Sequence, residues 1–248
     1  MTDFSDSETL MVWLINLLAE KFPAQAILKG GMVLRLLNCP RLTNDLDYVF
    51  IPFSSKNDIA GPVLDVLRAQ QGLRVEHTMH STCLRIVVTS GSVRAQIELN
   101  VASECKTQEL STADLARSHH LQGRIIRAMS LDVALSHKLA AWMERGLLRD
   151  LYDVYYMREI LGISPDIQVL LQRLSRLHYQ RGKTPGPRSM SVPQFAQTLR
   201  ECVTQLTAEG VREELGDLIA EVELPGLDLK IRAALMSLSE HLSDKPAA

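Results

Sequence analysis

"LKGGMVLRLLNCPRLTNDLDYVF", Leu28 to Phe50, is the stretch on which the fold turns. Two aspartates, Asp45 and Asp47, open a run that continues Tyr48-Val49-Phe50-Ile51. A carboxylate in so apolar a run is costly unless it is paired or holds a cation. Apolar residues at both parities mark a strand covered on both faces, and therefore central in its sheet. Residues i and i+2 of a strand face the same way, so the two carboxylates project side by side, about 7 Å apart along the backbone. Ahead of them, Ala26 to Lys29 reads as a short strand, Gly30-Gly31 as a tight turn, and Met32 to Leu37 as a helix that begins on the turn.

Two acids at the entrance of a buried face repel each other unless a cation sits between them. Mg²⁺ suits the position, because it takes one or two carboxylates and completes its shell with water and substrate phosphates. A third acid would make a two-metal site for phosphoryl or nucleotidyl transfer. Glu98 is the candidate: Val93 to Val101 alternates apolar and polar residues, so Glu98 faces the aspartates if this strand pairs with theirs. A solvated polar face on an edge strand would show the same alternation. Likewise, Asp45 and Asp47 after Thr43-Asn44 suit a turn or cap at a strand start. The backbone N–H groups of Gly30-Gly31, at a helix N-terminus, favour phosphate, and Arg35 and Arg41 stand between that turn and Asp45. Either arginine would serve equally as an ordinary ion pair.

Outward from this stretch, Ser5-Asp6-Ser7-Glu8 has the form of a capping box and predicts a helix over about 8 to 21. A helix follows over about 59 to 67, then strands near 73 to 79, 83 to 89 and 93 to 101, the last two joined by Ser90-Gly91-Ser92. After about residue 125 the pattern is helical only: 131 to 146, 148 to 162, 165 to 177, 193 to 208 and two more. The expectation is an α+β chain, with a mixed-sheet domain over 1–125 and an all-helical domain over 126–248.

Two features of the helical half stand out. Leu131, Ala134, Leu135, Lys138, Leu139 and Trp142 follow the spacing of a buried stripe, so Lys138 occupies an apolar slot. It either snorkels to the surface or is directed into a cleft, where its charge would neutralise a triphosphate. Asp150 and Asp153 lie one turn apart on the next helix. Either Arg149 bridges Asp153 at a helix start, or one of the two acids orients Lys138 or the substrate.

The totals restrict the function classes. With 27 Lys plus Arg against 29 Asp plus Glu, the chain is no general polycation, so any RNA contact is a local patch. Arg173, Arg176, His178, Arg181, Lys183 and Arg188 form the clearest one, and Arg117, Arg124 and Arg127 a smaller one. Such groups contact phosphates without reading sequence, and a solvated loop has the same composition. The four cysteines, Cys39, Cys83, Cys105 and Cys202, are far apart with no zinc-type spacing, which points to reduced thiols in a cytosol. The apolar stretch Leu10 to Ala19 is too short to span a bilayer and follows acidic rather than basic residues, so neither a signal peptide nor a membrane segment is expected.

The ordered set Gly30-Gly31-x-x-x-Arg35, Arg41-x-Thr43-x-Asp45-Leu46-Asp47, Glu98, Lys138-Leu139-x-Ala141 and Arg149-Asp150-Leu151-Tyr152-Asp153 resembles the motifs of the AbiEii/AbiGii toxin family. These are nucleotidyltransferase-fold proteins of bacterial toxin–antitoxin and phage-defence systems, relatives of the MenT toxins. The resemblance spans Gly30 to Met157 and implies a mixed-sheet nucleotidyltransferase domain followed by a helical domain, with nucleotide and magnesium in the groove between them. It also implies transfer of a nucleoside monophosphate from an NTP to RNA, in MenT-like members to a tRNA 3′ end, and a cognate antitoxin as partner. By position, Asp45 and Asp47 would hold Mg²⁺, Gly30 and Gly31 the triphosphate and Lys138 a phosphate, while Asp150 and Asp153 fall in the last acidic motif. Gly-Gly stands where related transferases often have Gly-Ser, so no serine hydroxyl serves phosphate there. Glu98 replaces the more usual aspartate.

Two rival readings accompany this one. The first keeps the chemistry but modifies a protein side chain or a small molecule. The second is a silent module that binds an antitoxin or a nucleotide.

Overall fold

The computed structural model describes residues 4–179 and 186–244. Its backbone divides into two compact units, Met1–Ser130 and Leu131–Ala248.

The first unit holds the sheet. In chain order it contains α1 (Ser7–Lys21), β1 (Ala26–Lys29), α2 (Gly31–Leu36), β2 (Asp45–Phe50), α3 (Lys56–Arg68), β3 (Arg74–Met79), β4 (Leu84–Ser90), β5 (Val93–Val101), β6 (Thr107–Ser111), α4 (Ala113–Ser118) and β7 (Ile125–Met129). The seven strands lie in the order β3-β4-β5-β2-β1-β7-β6. β2 is parallel to β5 and β1 parallel to β7, while the other pairs are antiparallel, so the sheet is mixed.

β2 is the middle strand, as its apolar run predicts, but its two faces differ. Leu46, Tyr48 and Phe50 are buried along one face. Their cross-strand neighbours Leu28 on β1, and Ile97 and Leu99 on β5, continue the apolar layer. Helix α1 packs over this sheet against β1, β5 and β7, burying Leu10, Leu14, Ile15 and Leu18. On the other face only Val49, toward the end of the strand, is buried; Asp45 and Asp47 at its start are half-buried. The strand therefore enters polar and finishes in the core.

Local chemistry sets the boundaries and corrects several. The N-cap of α1 is Asp6, not Ser5: its Oδ1 accepts from the Thr9 backbone N–H at 2.7 Å, and that bond holds the Asp6 carboxyl below its usual range. Glu8 does not close a capping box, because a cation from α2 takes its carboxylate, as described below. α3 begins at a true capping box, Ser55 with Asp58, three residues ahead of the expected start at 59. Two strands lie where the sequence shows no strand pattern. β6 (TQELS) is a mostly polar edge strand, and β7 (IIRAM) is short, yet both complete the sheet beyond β1. With β7 paired to β1 and β6, the sheet-bearing unit extends through Ser130 rather than ending at 125.

The second unit is helical: α5 (Leu131–Arg145), α6 (Leu148–Tyr155) continued by a π-helical turn over Tyr156–Ile160, α7 (Ile167–Leu174), α8 (Val192–Thr204), α9 (Ala208–Leu215) and α10 (Leu227–Ser243). α5 packs against α6 and α7, and α10 against α8 and α6. Trp142 and Phe195 meet edge to face in this core. No described helix is long and apolar enough to cross a membrane.

Candidate active site

In the first unit the carboxylates stand in a cross-strand row. β1 pairs Lys29 with Asp47, β2 pairs Asp47 with Glu98 on β5, and β5 pairs Glu98 with Arg85 on β4. Residues opposite one another in a register share a face, so the row reads Lys29–Asp47–Glu98–Arg85. Glu98 thus lies beside Asp47, on its side of the sheet. Two like charges at adjacent register positions destabilise a sheet, and here each has a cation on its far side. Lys29 Nζ is 3.4 Å from Asp47 Oδ1. Arg85 donates from Nε and Nη2 to Glu98 Oε1 at 3.1 and 2.9 Å, and Gln96 Nε2 adds a third bond at 3.2 Å. Neither Lys29 nor Arg85 emerges from the sequence reading. Lys29 was findable as the last residue of the strand that feeds the glycine turn, whereas Arg85 requires the register.

The glycine turn abuts this row. Gly30 adopts φ 78° and ψ −156°, a conformation open essentially only to glycine. A Cβ there would run into the Asp47 carboxylate at Oδ2. At Gly31 a Cβ would meet Arg41 Nη2 at 2.8 Å and Thr43 Oγ1 at 2.9 Å. Both glycines are therefore needed for close approach: one seats Asp47, the other the segment leading into β2. Thr43 Oγ1 donates to Asp45 Oδ1 at 3.3 Å, and Arg41, itself buried, donates to the Leu42 carbonyl at 2.9 Å. Arg35 points elsewhere. Its Nε and Nη2 reach Glu8 Oε1 and Oε2 at 2.6 and 3.2 Å, its Nη1 reaches the Cys39 carbonyl at 3.0 Å, and His119 Nε2 lies 3.0 Å from the same glutamate. Arg35 thereby ties α2 to α1.

The second unit carries its own charged constellation. Lys138 and Arg145 are two turns apart on α5, and Asp150 and Asp153 one turn apart on α6, so facing sides of the helical hairpin carry two cations and two anions. Lys138 Nζ lies 2.6 Å from Asp153 Oδ2 and 3.4 Å from Asp150 Oδ1. Arg145 grips Asp150 with two bonds of 2.6 Å, from Nε to Oδ2 and from Nη2 to Oδ1. Both aspartate side chains are 0% exposed, while Lys138 retains 17%. Asp153 thus meets Lys138 across the hairpin, and Arg145, which the sequence reading passes over, holds Asp150.

Asp45 and Asp47 present two carboxylates on one face of β2, beside the glycine turn, and two such ligands with waters and substrate phosphates suffice for Mg²⁺. Among the described residues no group of three or more His, Cys, Asp or Glu side chains is disposed to hold a metal ion. The Glu98 carboxylate, drawn toward Arg85, does not complete a three-acid cluster with the aspartates.

The smaller basic patch, and Arg173 of the larger one, have partners within the protein. Arg173 pairs with Glu144 at 2.9 Å, Arg117 with Asp114 at 3.4 Å and Arg124 with Glu20, and Arg127 bonds Thr107 Oγ1 and the Ala24 carbonyl. Arg181 and Lys183 lie outside the described residues.

Residues 14–233 match the nucleotidyl transferase AbiEii toxin family, described as a type IV toxin–antitoxin system. The chain belongs to the AbiEii family. It is a nucleotidyltransferase of the toxin class, and the mixed sheet followed by helices is the nucleotidyltransferase fold. MenT4, a nucleotidyltransferase toxin from Mycobacterium tuberculosis H37Rv, superposes with a TM-score of 0.62 at 16% identity, covering 97% of this chain and 84% of that one. JHP933 from Helicobacter pylori gives 0.55 at 15% identity, covering 97% and 95%. A nucleotidyltransferase-like protein from H. pylori gives 0.55 at 14%, covering 98% and 97%. At these identities the likeness concerns the fold. No curated protein sequence matches the chain.

Proposed function

We propose that this AbiEii member transfers a nucleoside monophosphate from an NTP to an RNA acceptor, the 3′ end of a tRNA, in a Mg²⁺-dependent reaction in the cytoplasm. The observation that carries the reading is the seating of Asp47 against Gly30, which sets one carboxylate of the strand pair against the glycine turn. A turn without side chains admits a polyphosphate to its backbone N–H groups, and the adjacent aspartates supply oxygen ligands for the metal that accompanies it.

In this reading Asp45 and Asp47 hold Mg²⁺, and Gly30, Gly31 and Arg41 serve the triphosphate. Bound there, the ion would neutralise charge developing on the phosphate oxygens during transfer. The acceptor hydroxyl attacks the α-phosphorus in line, the bond to the β,γ-pyrophosphate breaks, and pyrophosphate leaves. Glu98, fixed by Arg85 and Gln96 one strand from Asp47, is assigned to take the proton from the attacking hydroxyl. Lys138 is assigned to a phosphate of the NTP, with Asp150 and Asp153 orienting its ammonium. A cognate antitoxin completes the expected partners.

The test is incorporation of labelled nucleotide, with RNA and protein fractions offered separately. Asp47→Asn is isosteric and should abolish incorporation while leaving the thermal melt in place; full activity of that variant would overturn the assignment. Label appearing in the protein fraction alone would move the acceptor from RNA to a side chain.

A further inference from the structure

The two carboxylates of the cross-strand row are held in unequal ways. Glu98 Oε1 accepts three bonds, two from a guanidinium and one from an amide, all between 2.9 and 3.2 Å. Asp47 Oδ1 has a single long contact, 3.4 Å from an ammonium at the end of a flexible stem. Lys29 remains 24% exposed and Asp47 26%, so solvent and solutes reach the pair. A contact of this length and exposure is weak and easily exchanged. On its other side the Asp47 carboxylate is backed by Gly30, leaving no room for a second side chain there.

We infer that Lys29 is a counter-ion that changes partner during the catalytic cycle, occupying Asp47 in the ligand-free protein and passing to a phosphate of the incoming NTP when a divalent ion takes the carboxylate. The inference rests on the proposed metal-binding role of Asp47 and adds a substrate-binding residue to it. Three features support the exchange. The ammonium and a divalent ion compete for one oxygen, since both are cations. Lys29 immediately precedes the Gly30-Gly31 turn assigned to the triphosphate, so a released Nζ stays beside the polyanion. Lysine, with three rotatable donors on a four-carbon stem, suits such a transfer better than the planar fork of arginine. The opposite end of the row is built differently: Arg85 holds Glu98 through two donors, at 3.1 and 2.9 Å.

The exchange makes two binding constants move in opposite directions, which a merely structural lysine would not do. Calorimetry with Mn²⁺ alone, without nucleotide, should show Lys29→Met binding the ion about threefold to tenfold tighter than wild type, because a repelling charge a few ångströms away is gone. Titration of the Mn²⁺ complexes of ATP, CTP, GTP and UTP in turn, without acceptor, should show the best of them bound about tenfold more weakly, through loss of one charge-assisted bond to phosphate. Lys29→Arg should restore most of the nucleotide affinity. If Lys29→Met does not fold, Lys29→Gln is measured in the same way. Unchanged or weaker Mn²⁺ binding by the variant, or unchanged nucleotide affinity, overturns the inference. Wild-type protein that binds neither Mn²⁺ nor any of the four complexes overturns the functional reading itself, and the inference with it.

Discussion

Replacing Gly30 with alanine imposes two separable costs, and a second glycine separates them. At φ 78° and ψ −156° an alanine pays backbone strain of about 1–3 kcal/mol. Its Cβ would also lie 3.0 Å from Asp47 Cβ and Cγ and closer still to Oδ2, so the carboxylate must move. Gly91, in the hairpin between β4 and β5, has φ 58°, and a methyl group added there would have nothing within 4 Å, so alanine pays strain of about 1–2 kcal/mol without a collision. For a chain of this size each kcal/mol lowers Tm by about 2–4 °C, so Gly91→Ala should melt a few degrees below wild type and Gly30→Ala lower still, because the collision with Asp47 adds to its strain. Their activities should diverge. A carboxylate displaced by about 1 Å costs on the order of 10²-fold in rate, so Gly30→Ala should lose nearly all nucleotide incorporation while Gly91→Ala keeps wild-type incorporation. Single-turnover incorporation of labelled NTP, with differential scanning calorimetry on the same samples, reads both. Gly30→Ala retaining more than about a third of wild-type activity would refute the claim that this glycine seats a catalytic carboxylate.

Lys138→Met leaves the Asp153 carboxylate buried without its 2.6 Å ammonium and should destabilise the helical unit by about 3–5 kcal/mol; Asp153→Asn in the same chain should recover much of this, while NTP affinity measured by calorimetry stays low in both. A double variant that regains nucleotide affinity as well would remove Lys138 from the phosphate site. Burial raises the Glu8 carboxyl, but bonds and charge from Arg35 and His119 outweigh it and hold the group below its usual 4.5. Its contribution to stability is then present above pH 4.5 and lost as pH falls toward the depressed folded value. The melting gap between wild type and Glu8→Gln should accordingly narrow between pH 7 and pH 3, and a gap independent of pH would contradict this.

Strand periodicity by itself sets Asp45 and Asp47 on one face, and helical periodicity alone marks Lys138 as a charge in an apolar stripe, because both depend only on spacing along one element. The Gly-Gly turn is legible for the same local reason: a short strand ends, a helix begins, and only glycine tolerates the intervening conformation. What those charges meet is another matter. Lys29 reaches Asp47 because β1 runs antiparallel to β2, and Glu98 comes to lie beside it in the register because β5, separated by α3, β3 and β4 in the chain, returns parallel on the other side. Arg35, spaced like a nucleotide ligand, is drawn to Glu8 by the packing of α1, and Asp153, four residues past Arg149, meets Lys138 of α5 because the α5–α6 hairpin sets which faces oppose. β6 escapes notice because an edge strand needs little apolar alternation; it is held by hydrogen bonds to β7 and not by its own pattern. The sequence, then, determined which residues carry charge and which way each points within its own element. The register between strands and the meeting of helices, fixed by burial of the whole core, decided which opposite charges became partners.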